Sequence, residues 1–200
     1  MKELARLFLI IVLLFLAWEC ILSWMGTLPQ QASSGSRSVV QVKMYQPRIK
    51  AQKGTHDYYV ALARYDAVFV GIDPDVYQHQ ITVESHFDPF ARSATGDIGI
   101  AQFQPTTAAH LPNPLGNGSL NAWDPEQALL AAATLMDTYV EHYRSYEAAL
   151  AAYNCGSSCV NRAIEQGQAN WWAYLPVSTR SYVLKILQKG AIESGKVVAV

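Results

Sequence analysis

Gly71-Ile72-Asp73-Pro74-Asp75-Val76-Tyr77-Gln78-His79-Gln80-Ile81-Thr82-Val83-Glu84-Ser85-His86-Phe87-Asp88-Pro89 is the stretch from which the rest of the chain is read. Gly71 closes one helix, and Asp73 followed by Pro74 starts the next. An acceptor side chain stands at the cap, and the first helical residue has its φ already set. Pro89 disfavours helical backbone at Asp88, so this second helix is bounded as Pro74–His86. The same punctuation recurs outward. Thr55 caps His56–Val70, with Leu62, Tyr65 and Phe69 at helical spacing. Asp124-Pro125-Glu126 opens a run to about His142, with Leu129, Leu130, Ala133, Met136, Val140 and Tyr143 on one stripe. Ser145 caps Tyr146–Tyr153, Ser158 caps Cys159–Gln166 before Gly167, and Ser178 or Thr179 caps Arg180–Lys189 before Gly190. No segment alternates with period two for more than four residues. The expected fold is therefore all-α, or nearly so, over residues 55–190. Residues 88–122, rich in Pro, Gly, Ser, Thr and Asn, are expected to be an irregular loop of the length that usually serves function.

The chain has 200 residues, half of them apolar and 16% charged, which suits a packed core. Its net charge of −1 hides a split. Residues 1–54 carry seven Lys/Arg and two acids, whereas residues 55–200 carry eight and fourteen. The long segment is acidic and has no Lys/Arg cluster, which argues against a nucleic-acid partner. Three cysteines exclude a disulfide-framework miniprotein, and the five histidines show no metal-ligand spacing.

Lys2 and Arg6 precede twelve uninterrupted apolar residues, Leu7 to Trp18. Taken alone, these twelve have the length of a signal-peptide core. Extended to Leu28 the segment would measure ~33 Å as a helix, enough to span a bilayer. A retained anchor and a cleaved signal both remain open for residues 1–28. Both place the rest of the chain outside the membrane, because the positive flank stays inside. Residues 29–54, with Arg37, Lys43, Arg48, Lys50 and Lys53 and no acid between Thr27 and His56, read as a basic, polar linker. Residues 191–200 read as a short tail.

Glu84 is the candidate catalytic group. It falls in the last turn of its helix, where the negative end of the helix dipole raises a carboxyl's pKa, and burial beside Phe87 or Phe103 would add to this. A carboxyl that keeps its proton near neutral pH suits a general acid. The loop that follows, Ser93-Ala94-Thr95-Gly96-Asp97-Ile98-Gly99-Ile100-Ala101-Gln102-Phe103-Gln104-Pro105-Thr106-Thr107-Ala108, contains Gln102, which can donate and accept toward a sugar hydroxyl or acetamido group. Asp97 has two readings: a second carboxylate, or a loop cap bonded to local backbone. Tyr153-Asn154-Cys155-Gly156 puts a polar pair at a helix end. Cys155 and Cys159 either pair, closing a five-residue loop, or stay as free thiols.

In this order, Gly71-Ile72-Asp73-Pro74, Glu84-Ser85-His86-Phe87-Asp88-Pro89, the Ser93–Ala108 block and Ala152-Tyr153-Asn154-Cys155-Gly156 resemble the lytic transglycosylases that share a catalytic domain with soluble lytic transglycosylase and goose-type lysozyme. A looser fifth block is Leu175-Pro176 with Thr179-Arg180-Ser181-Tyr182-Val183. The resemblance covers about residues 71–187. It implies a small helical, lysozyme-like domain with a groove for peptidoglycan glycan strands, and Glu84 as the one obligatory acid/base. It implies Ser93, Gln102, Tyr153 and Asn154 as groove residues, with Ser85 and Tyr182 in support, and it implies neither metal nor cofactor. Two departures stand out. Gln78, His79 and Gln80 lie where such helices are more apolar, and Asp97 lies where many relatives have alanine. The expected reaction cleaves the MurNAc–GlcNAc bond and leaves 1,6-anhydro ends. A hydrolase that activates water through Asp97, and a non-catalytic glycan-binding scaffold, are the alternatives. The expected location is the cell envelope, with the domain anchored at the inner membrane and facing the periplasm, or exported after signal cleavage. Cell-wall remodelling, an envelope-spanning machine and a phage entry device all fit such a domain.

Overall fold

The computed structural model describes residues 45–193, with side chains through 187. The membrane or signal segment 1–28, most of the linker and the tail after 193 lie outside the described residues. Among the described residues there is no strand, and no helix is long and apolar enough to cross a membrane.

Among the described residues there are seven α-helices, several of them started by a side-chain cap. The helix α1 (His56–Val70) starts with the Thr55 hydroxyl accepting from the Tyr58 amide. It ends at Gly71, whose φ of 103° closes the last turn onto Ala67. In α2 (Pro74–Ser85), Asp73 Oδ1 accepts from the Asp75 and Val76 amides. Pro105–His110 form a short α3 inside the expected irregular loop, and Pro105 at its first position is the signal that announces it. Asp124 caps α4 (Pro125–Tyr143) as Asp73 caps α2, and Ser145 caps α5 (Tyr146–Cys155).

Two start points differ from the sequence reading. The helix α6 (Ser157–Gly167) begins one residue before Ser158, because Gly156, at φ 85°, ends α5 and opens α6 in a single left-handed step. The helix α7 (Val177–Glu193) begins directly after Pro176 and runs on through Gly190. Thr179 does not cap it: the residue is 1% exposed and its hydroxyl donates to Asn154 Oδ1 at 2.9 Å. A 3-10 segment, Gln168–Tyr174, joins α6 to α7.

The core is built on alanine. Ala128, Leu129, Leu130, Ala131, Ala132, Ala133 and Met136 of α4 are buried, as are Ala148, Ala149, Leu150, Ala151 and Ala152 of α5. Five consecutive buried positions leave α5 without a solvent face in its middle, so it is the central helix. It packs against α4, α6 and α7, while α2 packs against α1 and α7. The Tyr77 hydroxyl of α2 donates to the Leu129 carbonyl at 2.6 Å, which ties α2 to α4 inside the core. Residues 45–54 carry no helix, and they are not free chain. Tyr45 and Ile49 pack on the core, and Tyr45 donates to the buried Asp66 at 2.7 Å.

Candidate active site

The chain reverses sharply where α2 ends. His86 and Phe87 both take left-handed backbone, at φ 54° and 63°. Such conformations cost a non-glycine residue roughly 1–2 kcal/mol. The turn buries Phe87 to 4% exposure, and it leaves Glu84, the last but one residue of α2, at the corner where helix becomes loop. His86 is the exposed cap of α2 rather than its last residue.

The loop after this corner folds on itself. Ile98 and Phe103 exchange backbone hydrogen bonds at 2.9 and 3.1 Å, and Ile98, Ile100, Ala101 and Phe103 are buried beneath them. The close approach depends on Gly99. Its φ is 74°, and any Cβ there would run into the Ala122 carbonyl oxygen.

The polar residues singled out in the sequence hold this loop in place. Ser85 Oγ donates to the Ile100 carbonyl at 2.6 Å, and the Tyr153 hydroxyl donates to the Ala101 carbonyl at 2.8 Å. Gln102, with its backbone at φ 50°, donates through Nε2 to the carbonyls of Gly99 at 2.8 Å and Ala91 at 3.3 Å. Ser93 and Thr95 donate to Asp97 Oδ2 at 2.7 and 2.6 Å, and the Asp97 amide donates back to Ser93 Oγ at 2.9 Å. Asp97 therefore caps its own loop. Asn154 is exposed, its Oδ1 held by Thr179. A disulfide joins Cys155 to Cys159, with Cα atoms 5.8 Å apart, across the turn that follows Asn154.

One contact reaches Glu84 from a distant part of the chain. Tyr182, on α7 and 98 residues later, donates its hydroxyl to Glu84 Oε1 at 2.5 Å. Burial pushes the Glu84 carboxyl up to about 7, the Tyr182 hydrogen bond pulls it back, and the charge of Asp97 adds to the rise. Desolvation is thus the main cause. Burial and the neighbouring Glu84 also hold the Tyr182 and Tyr153 phenols far above their ordinary value, so both stay protonated donors.

Sequence reading missed two residues of this corner. Thr179 suits a cap by residue type, and Gln80 stands out in the sequence only as a polar residue in an apolar place; Gln80 is fully buried one turn before Glu84. Trp123 is partly buried, with the Arg92 guanidinium 4.6 Å from its ring centre. Among the described residues no three His, Cys, Asp or Glu side chains converge as a metal site requires.

A family model described as the transglycosylase SLT domain matches residues 64–171. A transglycosylase of Enterobacteria phage PRD1 is 31% identical over 117 residues, which are 58% of this chain and 37% of that protein. An inactive variant of the lytic transglycosylase Slt from Pseudomonas aeruginosa matches with a TM-score of 0.58 at 22% identity, over 68% of this chain and 24% of that one. The 70 kDa soluble lytic transglycosylase from Escherichia coli matches with a TM-score of 0.50 at 18% identity, over 70% and 30%. At these identities the two structures speak for the fold. The chain spans well under half the length of each of these three relatives.

Proposed function

The chain belongs to the transglycosylase SLT domain family, and from that premise we propose that it is a peptidoglycan lytic transglycosylase with Glu84 as its single general acid and base. The observation that carries the reading is a partly buried carboxyl raised to about 7 and held by one phenolic donor. Such a group is a proton donor at neutral pH and remains a competent base once the proton has left.

In this reading Glu84 gives its proton to the glycosidic oxygen between MurNAc and GlcNAc. The bond from that oxygen to the muramic C1 breaks, and the substrate's own 2-acetamido oxygen bonds C1 from the opposite face. Tyr182 donates to the carboxylate that remains. Glu84 then takes the proton of the muramic O6 hydroxyl, O6 bonds to C1, and the acetamido oxygen departs. The product carries a 1,6-anhydro ring, no water is consumed, and Glu84 ends protonated as it began. Ser85, Gln102 and Tyr153 act chiefly by holding the loop walls, whereas Ser93 and Asn154 offer polar groups to the glycan strand.

The hydrolytic alternative needs Asp97 to activate water, and its charge is felt at Glu84. Two hydroxyl donors on Oδ2 and the amide bond to Ser93 favour its role as a loop cap. Digestion of purified peptidoglycan by the full chain, followed by mass spectrometry of the released muropeptides, decides between them. Anhydro ends support the transglycosylase, reducing ends the hydrolase, and binding without turnover a scaffold. The apolar segment 7–18 supports a further part of this proposal, that the domain works outside the inner membrane. The resemblance to a phage transglycosylase makes a phage entry device a natural larger partner.

A further inference from the structure

Gln80 is fully buried on α2, four residues before Glu84 and hence on the same helix face. Neither its amide nitrogen nor its amide oxygen meets a hydrogen-bond partner. Burying an unpartnered amide costs stability, so a residue chosen only for packing would be apolar here. The Gln80 amide favours charge on the Tyr182 oxygen, and the Tyr182 hydroxyl donates to Glu84 at 2.5 Å. Tyr182 is itself only 8% exposed and comes from α7, which packs on α2.

We propose that Gln80 is a positioning residue: a small turn of its amide, which has no hydrogen-bond partner in this structure, brings a side-chain N–H onto the Tyr182 oxygen and so aims the hydroxyl proton at Glu84. A phenol has one proton and two lone pairs. With a donor behind the oxygen, the proton has a single direction left, toward the carboxyl. Each bond in such a chain polarises the next, so the carboxylate is held more firmly than Tyr182 alone would hold it. Gln80 thereby offsets part of the desolvation at Glu84 and keeps the group able to act as a base in the second step. The proposal rests on the reading of Glu84 as acid and base.

Other groups face Glu84. Tyr77 of α2 and Tyr153 of α5 are phenols raised well above their ordinary value, and Asp97 comes from the loop. Tyr182 completes the set of phenols that sense Glu84, and His79 on α2 and His86 at its cap lie nearby in the chain. The two other phenols stay neutral through the relevant range, and the charge of Asp97 adds to the rise at Glu84.

The test is a carbon-detected NMR titration of the Glu84 carboxyl in the wild type, Gln80→Met, Tyr182→Phe and the double variant, with pH–rate profiles on peptidoglycan alongside. Gln80→Met should move the Glu84 midpoint up by about half a unit, the effect of one modest hydrogen bond. Tyr182→Phe should move it further. Adding Gln80→Met to Tyr182→Phe should change nothing, because Gln80 acts through that hydroxyl. Gln80→Met is expected to melt no lower than the wild type. An unmoved midpoint in a folded Gln80→Met protein overturns the proposal, as does a Gln80 effect that persists without the Tyr182 hydroxyl. If Gln80→Met does not fold, the same proposal is judged on Gln80→Leu and Gln80→Ala, in which the Glu84 midpoint should rise by the same amount. The titration does not depend on turnover. A shifted midpoint in a wild-type protein that cleaves no glycan would count against the proposed function and leave the positioning role standing.

Discussion

Replacing Glu84 with glutamine should abolish activity and, above neutral pH, make the protein more stable. The folded carboxyl titrates at about 7 against an ordinary 4.5. Between those values the folded chain holds a proton that the unfolded chain has released. Stability then falls as pH rises, since its slope follows protons bound unfolded minus folded. The wild type therefore loses stability from about pH 4.5 to about pH 7 and stays at that level above. At ~1.4 kcal/mol per unit, the deficit comes to roughly 3 kcal/mol. Glutamine has no proton to lose, and its amide oxygen still accepts from Tyr182. The variant and the wild type should thus differ little at pH 4. At pH 8 they should differ by about 3 kcal/mol, or roughly 6–12 °C in melting temperature for a domain of this size. Urea or thermal unfolding across pH 4–9, with the disulfide intact, measures the difference. A gap that is flat across this range would mean that the site does not hold Glu84 protonated, and the acid assignment would fall with it.

Asp97→Asn should retain most activity, still release anhydro ends and shift the Glu84 midpoint downward, because a nearby like charge is gone. A folded but inactive Asp97→Asn protein, together with reducing ends released by the wild type, would instead make Asp97 the water activator. Gly99→Ala should destabilise by about 2–4 kcal/mol or prevent folding, since a Cβ meets the Ala122 carbonyl and the backbone stands at φ 74°. A melting temperature within a degree of the wild type would contradict the tight loop. Replacing both Cys155 and Cys159 with serine should cost about 2 kcal/mol, the entropy of a five-residue loop. Turnover should fall less than stability, as Asn154 keeps its bond to Thr179; differential scanning calorimetry and muropeptide yield check the two separately.

Much of the fold is legible because helix boundaries are written in local chemistry. Asp73-Pro74, Asp124-Pro125 and Ser145 each put an acceptor where orphan amides need one, and the structure uses all three. Thr179 shows the limit. Its type suits a cap, but its place in the helix makes it a buried donor to Asn154, a partner 25 residues away. The short α3 escaped notice because composition over 88–122 outweighed the one proline that marks it. Within the site, the sequence offers Gln102 and Tyr153 as groove residues and Ser85 in support, and the structure adds that each donates to a loop carbonyl, a partner that residue type alone does not reveal.

By itself the sequence determined where α2 begins, that Glu84 stands at its end before a proline-broken turn, and that a polar, glycine-bearing loop follows, all consequences of neighbours a few residues apart. Only the tertiary structure decided what Glu84 is able to do. Its proton affinity comes from exclusion of water by packed elements and from a hydroxyl 98 residues away, and neither is a property of its local sequence. Gln80 follows the same logic: on the helix it is a polar residue in an apolar place, and the role proposed for it arises only because α7, which carries Tyr182, packs on α2.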